Sequence, residues 1–237
     1  MNRRIHVLAT LPFTSEEGLR PLLSRDTLNI LQGLQRSYLH RVNKTVQGTD
    51  LAAFNLYQLV ERTHRDSSQA LLHHYSSQAW NMDFWLQGLT SHHRPPLPAL
   101  VQAIERDFGS WESFETMFSE SAGAIPASGW TWLVQRQNGR LTIMNTYNAG
   151  SPMFVNMRAP VQANPKREEG GSFSALLGMT KPPVQEEQTA DVVAPILALN
   201  MWEHAWIRDY GLDRDAYIRN FWKCVNWSRA AVILNLY

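Results

Sequence analysis

The stretch Asn200-Met201-Trp202-Glu203-His204-Ala205-Trp206, followed by Tyr210 and by Cys224-Val225-Asn226-Trp227, decides the reading of this chain. It joins a strand candidate at 192–199 to helical runs at 203–209, 214–226 and 228–236. Working back from it, 148–190 is rich in Gly, Pro, Ser, Gln and Glu and reads as a long connection. Residues 130–137 and 141–147 flank Asn138-Gly139-Arg140, a turn favouring positive φ, and predict a β-hairpin. Upstream, 98–108 and 110–124 predict two helices punctuated by Gly109, the second opening on Ser110-Trp111-Glu112-Ser113. Arg94-Pro95-Pro96-Leu97-Pro98 stops anything helical before it. Residues 24–47 carry Leu28, Leu31, Leu34, Tyr38 and Val42 at helical spacing behind Ser24 and Asp26. A second helical stretch starts at Thr49-Asp50, and a third covers 66–89. The expected fold class is α+β. An N-terminal helical hairpin domain (1–94) precedes a C-terminal α+β domain (95–237) with a small three-stranded antiparallel sheet and an insertion near 158–190.

Composition narrows the function. Apolar residues make up 44% and charged residues 18%, which excludes a largely disordered chain. No run approaches the roughly 20 apolar residues that span a bilayer, so no membrane role is expected. One cysteine, Cys224, excludes an internal disulfide framework and a thiolate cluster, and beside Phe221 and Trp222 it reads as a buried thiol. A net charge of +1 gives no global pull towards nucleic acid. Nine tryptophans imply aromatic-rich packing or a large interface. Met1-Asn2-Arg3-Arg4 is basic and no acid precedes Glu16, which fits either the stub of a cleaved organelle presequence or a plain basic arm.

The quoted C-terminal stretch resembles the D-V-W-E-H-A-Y-Y and I-N-W signature of iron/manganese superoxide dismutases. Five more pieces follow in that family's order: Leu11-Pro12-Phe13, Leu19-Arg20-Pro21, Gln78-Ala79-Trp80-Asn81-Met82-Asp83-Phe84, Arg106-Asp107-Phe108-Gly109-Ser110 and Gly129-Trp130-Thr131-Trp132-Leu133. The resemblance implies one metal ion held by three histidines and an aspartate, and these positions can be checked singly. The first histidine falls at Leu31 and the second at Met82 (or at Asn81, counting back from Trp85). The aspartate falls at Asn200, and only His204 keeps its type. The family's active-site tyrosine falls at Leu39, and the histidine accompanying it at Gln35. A register shift of one would restore Tyr38 but put the ligand at Ile30. Gln78 stands where iron-type enzymes place the glutamine that bonds metal-bound solvent.

The other histidines supply no replacement. His73-His74 and His92-His93 are neighbours that diverge by about 100° on a helix, and His6, His40 and His64 have no ligand spacing. The site therefore reads as dismantled, with no metal and no cofactor. The resemblance further implies that Glu203 and His204 meet a partner subunit across a two-fold. These features are similar to those of metal-free dismutase-like proteins of the mitochondrial small ribosomal subunit. They imply a non-enzymatic structural component in the mitochondrial matrix. It would pair with a dismutase-like paralogue as a heterodimer and contact other mitochondrial ribosomal proteins, with small-subunit rRNA as a further contact. Arg36, Arg41, Lys44, Lys166 and Arg167 are the candidate RNA contacts. The alternatives are a working iron or manganese dismutase with unusual ligands, and a stand-alone dimeric binding module.

Overall fold

Ser24 starts the first long helix by accepting a hydrogen bond on its hydroxyl from the Thr27 N–H at 3.1 Å. The computed structural model describes residues 5–14, 16–154 and 193–236. Just before that cap, two short strands, β1 (Gly18–Leu19) and β2 (Leu23–Ser24), pair antiparallel. Gly18 has φ +85°, and a Cβ there would lie 2.5 Å from the Leu23 carbonyl oxygen, so only glycine fits.

Helix α1 (Arg25–Val46) buries Leu28, Leu31, Leu39, Val42 and Val46 along one stripe, as the 3.6-residue period requires. The stretch after it differs from expectation. A 3-10 turn at Asp50–Ala53 comes first, and α2 (Leu56–Thr63) starts afresh. The cause is a capping box: Asn55 accepts from the Gln58 N–H while the Gln58 side chain accepts from the Asn55 N–H. A second 3-10 turn, Ser67–Gln69, leads into α3 (Ala70–Gln87). Helices α1, α2 and α3 pack together, and Val42, Val46, Leu59 and Leu72 form a small core at one end.

Beyond the proline run come α4 (Pro98–Phe108) and α5 (Trp111–Gly123), the latter capped by Ser110. The sheet contains β3 (Gly129–Gln135), β4 (Leu141–Tyr147) and β5 (Ala194–Asn200), all antiparallel, with β3 in the centre. Trp130 lies opposite Thr146 on one side and Asn200 on the other. The chain closes with α6 (Glu203–Tyr210), α7 (Arg214–Phe221), a 3-10 turn at Trp222–Cys224, and α8 (Trp227–Ile233). The α+β class and the three-stranded sheet are as expected.

The tryptophans are mostly core. Trp85, Trp130 and Trp132 are sealed from solvent, and Trp80 stacks on Trp132 with ring centroids 6.3 Å apart. Burial of such rings dominates the stabilising energy. The Arg106-Asp107 motif is a latch. The Asp107 carboxylate accepts from Arg106 Nη2 at 2.7 Å and from the Leu141 N–H at 2.7 Å, and pairs with Arg140 at 2.7 Å. It ties α4 to the hairpin, and these partners hold its carboxyl below the usual carboxylate range, the Arg106 hydrogen bond first. Tyr210 donates its hydroxyl to the carbonyls of Pro21 and Leu22 (2.7 and 2.8 Å), fastening the last helices to the first strands.

Candidate functional site

Helix α3 lies across one face of the sheet, and the expected metal position sits in that layer. The α3 face carries Gln78, Asn81, Met82 and Trp85 at helical spacing. The sheet face carries Trp130 with its cross-strand partners Thr146 and Asn200, which share a side because paired residues do. The Trp85 and Trp130 rings meet edge to face at 6.4 Å, which fixes the two layers against each other. Leu31 enters from α1.

The donors there do not fit an iron or manganese ion. Leu31 and Met82 are 0% and 1% exposed and belong to the main hydrophobic core. Leucine has no lone pair, and a thioether is a soft donor suited to Cu(I). Asn200 is fully buried, and its Oδ1 already accepts from the Trp202 N–H at 3.0 Å. That amide caps the turn into α6, a local task that an aspartate could also perform. Its main-chain carbonyl accepts from the Tyr217 hydroxyl at 2.7 Å. Among the described residues no three His, Cys, Asp or Glu side chains gather closely enough to hold a metal. Gln35 and Leu39 are buried as well, and Tyr38 packs against His74 and Tyr75 instead.

Several buried polar atoms at this place lack a partner among the described residues: both amide atoms of Gln78, Asn81 Oδ1, Asn200 Nδ2, and the indole N–H groups of Trp85 and Trp130. The other end of the Asn81 amide is fixed, Nδ2 donating to the Gly150 carbonyl at 2.9 Å. That carbonyl also receives Thr146 Oγ1 at 2.8 Å, and Thr146 receives Trp132 Nε1 at 2.9 Å. Sequence reading missed this set because Trp85 and Trp130 look like ordinary core rings. The signal available was Trp130 near the start of one hairpin strand with Asn200 at the end of another strand.

The turn after β5 keeps its polar groups. His204 is largely buried and stacks on Trp202 with centroids 5.4 Å apart. Burial pushes its pKa down to about 4, opposed by the neighbouring Glu203 carboxylate. Glu203 is exposed, and its carboxylate accepts from Ser128 Oγ at 2.7 Å, which holds it below its ordinary value. Arg36, Arg41 and Lys44 are all exposed on α1, and Arg41 also lies over the Tyr75 ring at 5.2 Å. Lys166, Arg167, the whole insertion near 158–190 and the basic Met1–Arg4 arm fall outside the described residues. Cys224 is buried as expected, and burial raises its thiol pKa.

A helical N-terminal region, a three-stranded antiparallel sheet and a histidine turn at the end of the last strand define a dismutase-type α+β protein. The profile of the C-terminal domain of iron/manganese superoxide dismutases matches residues 96–164 and 173–232, over half of the chain. The chain belongs to the iron/manganese superoxide dismutase family. An iron superoxide dismutase of Photobacterium leiognathi is 32% identical over 93% of this chain and 94% of its own length. One of Legionella pneumophila is 29% identical over 94% and 96%. A chloroplastic iron superoxide dismutase of Arabidopsis thaliana is 31% identical over 92% of this chain and 66% of that protein.

These relatives overturn the expectation of a non-enzymatic component of the mitochondrial small ribosomal subunit. They are named as enzymes, and they match along nearly the whole length of the chain. Nothing in the relatives' names gives Arg36, Arg41 or Lys44 an RNA partner.

Proposed function

We propose that this chain is a subunit of a superoxide dismutase, paired across a two-fold with a dismutase-like chain. The observation that carries the reading is its near-full-length similarity to iron superoxide dismutases. In the resemblance, that turn is where the glutamate of one subunit reaches the histidine of the other. Glu203 is exposed and preset by Ser128, while His204 is largely buried behind it, a disposition that suits a contact made between chains.

The residues of this chain do the positioning. Asn200 fixes the turn through the Trp202 N–H, Tyr217 anchors the end of β5 through the Asn200 carbonyl, and Ser128 orients Glu203. With Leu31 and Met82 in the core, the metal of such an assembly belongs to the partner. The same chain with a dismutase-like partner is then the unit to assay.

Co-expression with a dismutase-like chain, followed by purification of the pair, tests the reading. The expected result is a stable pair that dismutates superoxide, and weaker pairing with Glu203→Ala by about tenfold or more, the equivalent of roughly 1.4 kcal/mol. Absence of dismutase activity in every pair, together with unchanged pairing in Glu203→Ala, contradicts it.

A further inference from the structure

One end of the α1–α3 pair carries two cations with no carboxylate partner. Arg41, Lys44 and Thr45 stand at helical spacing on the outer side of α1, next to the buried Val42 and Val46. The turn at Ser67–Gln69 and the start of α3 lie across from them. Between these elements is an open cleft of about 480 Å³, lined chiefly by Arg41, Lys44, Ser67, Ser68, Leu71 and Tyr75. It shares no residue with the expected metal site or with the turn at 200–204. Among the described residues no Asp or Glu lines it, and no carboxylate pairs with Arg41 or Lys44. Asp66, the nearest acid along the chain, lies outside the lining and accepts from the Ser68 N–H at 2.9 Å and the Ser68 hydroxyl at 2.6 Å.

The donors are sorted by what they already do. The guanidinium of Arg41 lies over the Tyr75 ring at 5.2 Å, and its Nη1 donates to the Tyr75 hydroxyl at 3.4 Å. Tyr75 stacks in turn on Tyr38 at 6.3 Å, and His74 meets both rings edge-on. A guanidinium seated on aromatic rings loses less freedom on binding and keeps most of its five N–H donors. Tyr75 accepts from Arg41 and so keeps its own proton to give. The hydroxyls of Thr45 and Ser68 are spent on the Arg41 carbonyl and on Asp66, whereas Ser67 is exposed at the cleft. We propose that this cleft binds a small phosphate monoester, its phosphate held by Arg41, Lys44, Ser67 and Tyr75 and its organic body resting on Leu71.

Charge balance selects the ligand. Two cations and two hydroxyls match a phosphate monoester of roughly −1.5 to −2 at pH 7, whereas a carboxylate would leave one cation uncompensated. Leu71 is 70% exposed, so an ester body has apolar surface to cover. The one aromatic ring in the lining, Tyr75, already carries Arg41 and Tyr38, which leaves no platform for a nucleobase. The volume suits a small molecule. The cleft belongs to the single chain and stands whether or not the assembly proposed above exists.

Calorimetric titration of the intact chain with glycerol 3-phosphate at physiological salt tests it, with inorganic phosphate, AMP and a single-stranded oligonucleotide in parallel. The expected result is saturable one-to-one binding of glycerol 3-phosphate, tighter than that of inorganic phosphate or AMP. Arg41→Gln and Lys44→Gln should each weaken it by about tenfold, the effect of losing a charge-assisted hydrogen bond. Both positions are exposed, so the fold tolerates glutamine there. Arg36→Gln, outside the cleft, should change nothing. Absence of saturable binding at millimolar ligand overturns the proposal. So does inorganic phosphate binding as tightly as the ester, or an equal loss in Arg36→Gln. An oligonucleotide binding more tightly than either small anion also overturns it, because α1 would then be a nucleic-acid face.

Discussion

The two halves of the expected metal site differ in polarity. In the helical half the two expected ligand positions, Leu31 on α1 and Met82 on α3, are apolar and sealed into the core beside the buried amides of Gln78 and Asn81. The strand-and-turn half keeps Asn200, Trp202, Glu203 and His204. The difference lies in what each group does for the fold. A ligand projecting from mid-helix contributes nothing to its own helix, so an apolar replacement there can be accommodated and packs against its neighbours. Asn200 caps a turn, and Glu203 holds Ser128, so these polar groups have partners within the chain.

The sharpest way to break this comparison is to make the helical half polar again. Leu31→His, Met82→His and Asn200→Asp together place two imidazoles in apolar surroundings, and should cost about 2–6 kcal/mol of stability in metal-free buffer, at roughly 1–3 kcal/mol per unpaired group. Urea denaturation measures this. Little change would mean that the helical half is less tightly packed than its burial implies.

The turn half should show itself through pH. His204 has a folded pKa of about 4 against an unfolded 6.5, so the unfolded state binds the proton first. Stability from this group is complete above pH 6.5 and is lost as pH falls towards 4, by up to about 3 kcal/mol. His73 and His74 are also lowered by burial and act in the same direction, so the comparison is with His204→Gln. That variant should flatten the stability profile over this window in metal-free buffer, measured by urea midpoints at several pH values. An unaltered slope would show that His204 is solvated.

Smaller effects follow. Asn200→Ala removes the acceptor for the Trp202 N–H and should cost about 1–2 kcal/mol, the usual range for a lost turn or helix cap. Ser128→Ala releases Glu203, whose lowered pKa supplies stability above its unfolded value that disappears as pH falls through the folded one. Because the carboxylate is exposed, the loss at neutral pH should stay below about 1 kcal/mol, with a weaker acid dependence below pH 5. Thermal scans across that range distinguish the two variants.

Much of this architecture was legible in the sequence. The Ser24 and Ser110 caps, the proline run at 94–98 and the Asn138-Gly139 turn place α1, α4, α5 and the hairpin within a residue or two. The break at Asn55 was readable too, as an Asn with a Gln three residues on, but the apolar spacing of Phe54, Tyr57 and Val60 masked it. The β1–β2 ladder was not, because two residues carry no period. At the site, the apolar character of Leu31 and Met82 was plain from residue type alone. The unpaired indoles were not, since an N–H without a partner depends on where every neighbouring side chain points.

The central claim is that the helical half of the expected metal site supplies this chain with no imidazole or carboxylate donor. Elemental analysis of the chain alone, expressed and purified with iron and manganese supplied, tests it most directly. The account predicts far less than one iron or manganese ion per chain. One ion per chain, lost in His204→Ala, would contradict it and show that His204 finds donors which the arrangement around Leu31 and Met82 does not provide.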